Sequence, residues 1–238
     1  MTRLVMGRVT AIERWPPMLR SLIITATLAV CGAAHAQTAP SASDIAHYSG
    51  LHLAAHEGRV DEIDRLIAAG ADLNARDNAG RTPAHVAAFA SHDEAVAALA
   101  KGGADMNALE NRVYDVLTIA AVANDPELVS LAMELGNKPD LITSVYDGTA
   151  LIAAAHLGHH EVVARLVAGG APLDHVNNLA WTALIEAVIL GDGGPDHVKT
   201  IEILVEAGAD KTIGDRDGVT PLQHATERGY ADIVKLLD

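Results

Sequence analysis

Two short stretches of this chain hold residue types that could do chemistry. His156, His159, His160 and Glu161 are all potential metal ligands, and His156 and His160 are four apart, a spacing that shares one helix face. Gly158 lies between them and breaks that helix, so the imidazoles are expected on two different helices. The second stretch is Gly191-Asp192-Gly193-Gly194-Pro195-Asp196-His197, two carboxylates and a histidine among glycines. Its spacing fits neither an EF-hand nor a zinc site, and a glycine-rich turn accounts for it equally. For catalysis the sequence has no nucleophile elbow, phosphate-cradling Gly-Lys-Ser/Thr loop, His-Glu-X-X-His or paired cysteine. The reading is therefore no enzyme, no cofactor and no metal. The alternatives are a cation or metal-binding protein using 191–197 or His156–Glu161, and an uncharacterised enzyme drawing on Asp192 and His197.

The elements that position these residues recur. A small or polar residue followed by X-Leu-X-X-Ala, or a close variant, starts at Ser49, Thr82, Asp115, Thr149, Thr182 and Thr220, at separations of 33, 33, 34, 33 and 38. A second mark, Gly-Ala-Asp or a relic of it, falls at Gly70, Gly103, Gly136, Gly170 and Gly208. Together the two rulers place one extra residue before Thr149 and five just after Gly191. After each first mark comes an alanine-rich apolar run, such as Leu151-Ile152-Ala153-Ala154-Ala155, ended by Gly58, Ser91, Asn124, Gly158, Gly191 or Gly229. A second helix follows with apolar residues at i, i+3 and i+4, as in Ile63, Leu66, Ile67 and Val163, Leu166, Val167. Asp125-Pro126 supplies an N-cap and a proline at the first helical position. The fold class is all-α. No unit can bury a core alone, so stacking must supply one.

A period of about 33 carrying these marks resembles the ankyrin repeat. The best match is Asp77-Asn78-Ala79-Gly80-Arg81-Thr82-Pro83-Ala84-His85-Val86-Ala87-Ala88, supported by Asp217-Gly218-Val219-Thr220-Pro221-Leu222. The resemblance covers residues 47–238 and implies a solenoid of about six helix-turn-helix repeats, each followed by a loop projecting as a β-hairpin. The third repeat, with Asp115-Val116-Leu117-Thr118 and no Gly-Ala-Asp, departs furthest. His52 and His85 occupy the repeat's own histidine position, where the resemblance implies a hydrogen bond tying adjacent loops.

Residues 1–36 are expected to be a secretory signal peptide. Arg14 and Arg20 precede an apolar run from Leu22 to Val30, and Ala34-His35-Ala36 fits a small-X-small cleavage site. Met18 is an alternative start. Residues 37–46, with Thr, Ala, Pro and Ser, read as a flexible linker. Cleavage would remove the single cysteine, Cys31, and leave 13 basic against 30 acidic residues, a formal charge of −17. Such a surface turns away nucleic acid and anionic membrane and favours a partner with a basic patch. A short cleavable leader ahead of a repeat array resembles exported bacterial ankyrin proteins, which implies a periplasmic or secreted location.

The resemblance also implies protein partners met on the concave side, by hairpin tips and the ends of first helices. Transferred by phase, the expected contact residues are Phe89, Arg112, Tyr114, Tyr146, Asn178, Leu179, Trp181, Ile189 and Leu190. Four of the six aromatic residues after position 36 fall in this set, where the repeat itself does not require them. Trp181 is the expected anchor.

Overall fold

In a computed structural model, residues 37–238 are described and form one compact unit. The expected signal peptide, residues 1–36, lies outside the described residues. The described chain is helical throughout: α1 (Ala42–His47), then six pairs, α2 (Gly50–His56) with α3 (Val60–Ala68), α4 (Pro83–Phe89) with α5 (Asp93–Gly102), α6 (Val116–Val122) with α7 (Pro126–Glu134), α8 (Ala150–Leu157) with α9 (His160–Ala168), α10 (Ala183–Ile189) with α11 (Pro195–Glu206), and α12 (Pro221–Arg228) with α13 (Ala231–Leu237).

The repeated Thr or Asp starts each first helix as its N-cap. Asp115, Thr149, Thr182 and Thr220 each accept the main-chain N–H three residues on, and Thr82 and Thr220 complete reciprocal capping boxes with His85 and Gln223. First helices pack on first helices and second on second. Their shared seam is alanine: Ala54, Ala55, Ala87, Ala120, Ala121, Ala154, Ala155, Ala187 and Ala225 are all fully buried. The larger side chains, Ile63, Leu99, Leu128, Leu166 and Leu204, fill the space between first and second helices.

The turn inside most pairs passes through one left-handed residue, at Gly58, Ser91, Asn124, Gly158 and Gly229. In the fifth pair that residue is Gly193 rather than Gly191, a consequence of the insertion. By register, the counterpart of His160 in α9 is Val198, 38 positions on, yet α11 begins at Pro195. Three of the five inserted residues therefore lengthen the helix, and two lengthen the turn. The glycine-rich segment is a shorter loop than its sequence suggests.

The loops between pairs contain no strand among the described residues. Each is a turn whose ends are joined by a main-chain bond, Asp77 N–H to Arg81 O, Glu110 to Tyr114, Thr143 to Gly148, Asn177 to Trp181 and Asp215 to Val219, at 2.9–3.0 Å, with a second main-chain bond inside it. The longer span from Thr143 to Gly148 absorbs the extra residue before Thr149. Gly80 and Gly218 take the left-handed position of their turns without strain, whereas Val113 sits there at φ 69°.

Residues 37–46, expected to be a flexible linker, are instead folded onto the array. Ser41 and Asp44 form a capping box that starts α1. The guanidinium of Arg81, 2% exposed, donates to Asp44 at 2.9 Å, to Asp77 at 2.7 Å and to the carbonyl of Thr38 at 3.3 Å. Tyr48 donates its hydroxyl to Asp77 at 2.8 Å. The N–H of Ser41 and the Arg81 guanidinium hold the Asp44 carboxyl at about 2. The sequence misled because Thr, Ala, Pro and Ser composition reads as a tether, while the arginine that fixes this segment lies a full repeat downstream.

The histidines tie loops together as expected. His52 Nε2 lies 3.0 Å from the carbonyl of Arg81. His85 accepts the Thr82 N–H at Nδ1, which leaves Nε2–H to donate to the carbonyl of Tyr114 at 3.1 Å. Burial drives the His85 ring down to about 4, outweighing the carbonyls of Tyr114 and Ala108, which favour the imidazolium.

Two predictions follow from this geometry. A histidine depressed from about 6.5 to about 4 contributes stability that is complete above pH 6.5 and lost as pH falls toward 4, about 3 kcal/mol in all. In His85→Gln, which keeps an acceptor for the cap as Gln223 does in the sixth repeat, urea midpoints should lose most of their decline between pH 6.5 and 4. A decline as steep as the wild type's would assign the acid sensitivity elsewhere. Val113→Gly should raise stability at pH 7 by about 1 kcal/mol by relieving the left-handed backbone; a lower midpoint would show that valine packing outweighs strain.

Candidate partner-binding face

Each loop tip is shaped by one side chain that its sequence position does not advertise. Asp77 accepts the N–H groups of Ala79 and Arg81. Glu110 does the same for Arg112 and Tyr114, Ser144 for Tyr146 and Gly148, Asn177 for Leu179 and Trp181, and Asp215 for Asp217 and Val219. Four different residue types make one clasp, so identity alone conceals it. Neighbouring tips are then stitched together. The amide of Asn111 reaches the carbonyls of Ala79 and Asn78, that of Asn178 reaches Tyr146 and Val145, and Arg216 reaches Asn178. His175 lies 2.6 Å from the carbonyl of Asp147.

The third repeat keeps its place by a different buried network. Asp115 accepts the N–H and hydroxyl of Thr118 and the side-chain amide of Asn137 at 2.7 Å, while Asn137 accepts the N–H of Leu117. Burial raises the Asp115 carboxyl despite these donors. In the sixth repeat, burial alone would raise Asp215, but the Val219 N–H and the His224 ring, 2.8 Å away, outweigh it and hold the carboxyl low.

The expected contact residues fall into three groups. Arg112 and Asn178 are exposed on loop tips, although Asn178 uses its amide to hold Val145. Phe89, Tyr146, Leu179, Trp181, Ile189 and Leu190 are half-buried, and Phe89 packs against the core. Tyr114 is only 8% exposed. Its ring is a packing element of the loop, not a surface contact, because the clasp of Glu110 turns that residue inward.

The large apolar side chains exposed among the described residues are Ile142, Val145, Leu157 and Val176, the last at 45%; sequence reasoning passed over all but Val145. Leu157 ends α8 at the position that Leu190, the C-cap of α10, holds in the next repeat, so phase alone could have found it. Val145 stands beside Tyr146 at a tip position that phase gives, and Ile142 and Val176 carry no repeat signature.

The comparisons with known proteins bear on the whole arrangement. The family description "Ankyrin repeats (3 copies)" matches residues 22–110 and 117–215. The ankyrin repeat protein YahD of Escherichia coli strain K12 is 34% identical over 187 residues, covering 78% of this chain and 92% of that one. The chain belongs to the ankyrin-repeat family. Among solved structures, an ankyrin repeat domain from Acinetobacter baumannii AYE is 40% identical with a TM-score of 0.75, covering 79% of this chain and 95% of its own. The human ASB11 ankyrin repeat domain, 26% identical, superposes with a TM-score of 0.66 over 80% of this chain and 82% of its own. Ankyrin arrays are in general non-catalytic scaffolds that bind proteins, and this array has their architecture.

Within the array the two chemically suggestive stretches make pairs. His197 lies 3.0 Å from Asp192 and 3.1 Å from the carbonyl of His156, with its ring over Gly158. His160 faces Asp196 at 3.8 Å, and His159 lies 3.0 Å from the carbonyl of Ala121. Among the described residues, no three His, Cys, Asp or Glu side chains converge as a metal site. The surface depression beside the inserted turn is lined by Gly193, Gly194, Pro195 and residues of α11 and α13, and neither Asp192 nor His197 faces it. His197 does for the fifth repeat what His159 and Tyr230 do for theirs, reaching back to a main-chain carbonyl of the preceding repeat.

Because these imidazoles already serve as inter-repeat ties, titrating the protein with zinc or calcium should move the melting temperature by less than about 1 °C. A saturable upward shift lost in Asp192→Ala, or in His160→Ala, would establish a site there.

Proposed function

We propose that this ankyrin array is a non-catalytic scaffold that binds a partner protein through the groove and loop tips of its fourth and fifth repeats. One observation carries the reading: the exposed large apolar side chains described above all lie between residues 142 and 176, on the same stretch as Tyr146, Leu179 and Trp181. Exposed apolar groups gathered in one region mark interaction surfaces. Half-buried aromatics with one accessible edge lose little conformational entropy on docking, which leaves more of the contact energy as affinity.

The formal charge of the whole chain, −14, favours a partner with a basic patch, chiefly by steering the encounter, and disfavours nucleic acid. Export to the periplasm or beyond is part of the proposal and rests on the leader-like residues 1–36. Among the described residues no helix is long and apolar enough to cross a membrane.

The test is affinity capture from the periplasmic and extracellular fractions with wild-type protein beside Trp181→Ala and Leu157→Glu, each checked by circular dichroism for an intact array. A protein retained by the wild type and weakened by about 2 kcal/mol or more in Trp181→Ala fits the proposed face. Equal retention by all three places binding elsewhere, and unfolding of Trp181→Ala makes that residue structural rather than an anchor.

A further inference from the structure

Glu186 stands four residues after the N-cap of α10. Its counterparts in the other first helices are Leu53, Val86, Ile119, Ala153 and His224. Stacking asks for nothing charged at this position, yet the Glu186 carboxylate is 6% exposed. One oxygen accepts the side-chain amide of Asn177 at 2.7 Å. The other faces Nδ1 of His156 at 3.5 Å, and that ring is 46% exposed. An ionised carboxylate presents about four lone-pair sites, and a buried anion is costly unless paired with a cation. Asn177 is neutral, and His156 is an exposed imidazole beyond good hydrogen-bond distance. The sixth repeat supplies the contrast, since His224 at the same position meets Asp215 at 2.8 Å and completes its pair within the chain.

The surroundings fit a long cationic side chain. Leu157 follows His156 at the end of α8 and is 41% exposed. Leu190, half-buried, lies one turn beyond Glu186 and donates its N–H to the Glu186 carbonyl. Aliphatic side chains at the ends of the two helices that carry His156 and Glu186 suit the methylene stem of arginine or lysine, with the charged head at the anion. The strong negative charge of the chain acts in the same sense.

We propose that Glu186 is the specificity-determining counter-charge for an arginine or lysine of an extended partner segment lying in the groove, the imidazole of His156 moving aside to admit it. This rests on the groove reading above and adds the chemistry of the residue recognised.

The test uses an array of synthetic nonamer peptides, leucine on both sides of a central arginine, lysine, citrulline or leucine and the outer positions varied, probed with full-length wild-type protein, Glu186→Gln, His156→Ala and Leu157→Glu. Glu186→Gln retains the acceptor for Asn177, so its melting temperature should match the wild type and report any folding defect. The expected result is that wild type prefers central arginine or lysine over citrulline and leucine by about tenfold or more. Glu186→Gln should lose that preference, and His156→Ala should keep or strengthen it. Preference persisting in Glu186→Gln, or wild type showing none, overturns the assignment. If Leu157→Glu still abolishes peptide binding in that case, the groove reading survives without Glu186; if Leu157→Glu binds like wild type, both fall.

Discussion

The distance between neighbouring repeats is set by what the first helices can tolerate at their contact, and that is alanine. Ala54 and Ala55, Ala120 and Ala121, and Ala154 and Ala155 are completely buried where one helix meets the next. A methyl group is the largest side chain that lets helices approach so closely, and close-packed interiors resist even one added methylene. The spacing fixed there recurs at the loops, where a tip must lie within hydrogen-bond reach of the tip before it. The asparagine stitches, the histidine ties and the carbonyls that receive them require that one repeat distance.

Much of this was legible because a repeat writes the same physical demand six times. The alanine runs, the capping Thr or Asp and the left-handed breaks at Gly58, Ser91, Asn124, Gly158 and Gly229 are local consequences of local residues, and their periodicity exposes them. Illegible features depended on a single distant partner. The stretch 37–46 has the composition of a tether, and only Arg81 makes it part of the fold. Tyr114 looked like its surface counterparts until its loop turned it inward. The clasp residues Asp77, Glu110, Ser144, Asn177 and Asp215 share a function across four kinds of side chain. Of the proposed binding face, Trp181, Leu179, Tyr146, Val145 and Ile189 could be placed by phase. Ile142 and Val176 could not, since their exposure is a property of the packed loops.

Polar groups are distributed along the array in two ways. Within the loops and at their roots, buried donors and acceptors are matched: His85 between Thr82 and Tyr114, Asp115 between Thr118 and Asn137, and Asp215 beside His224. Matched polar networks fix a unique geometry because any misregister strands a buried group. In the groove of the fifth repeat the matching is left incomplete at Glu186. Where Asp215 meets the ring of His224 at 2.8 Å, the Glu186 carboxylate meets that of His156 only at 3.5 Å.

The Arg81 latch also changes the standing of the first repeat. In a chain of stacked units each internal repeat is held on two sides and each end repeat on one, so stability follows the number of neighbours. Arg81 belongs to the second repeat but grips residues that precede the first, at Thr38 and Asp44. The first repeat is thereby enclosed between the second and a helix anchored beyond it. Among the described residues the sixth repeat packs on the fifth, α12 against α10 and α13 against α11. The first repeat is thus clamped from both sides, and the apolar side chains of the fourth and fifth repeats stand well along the array from that clamp.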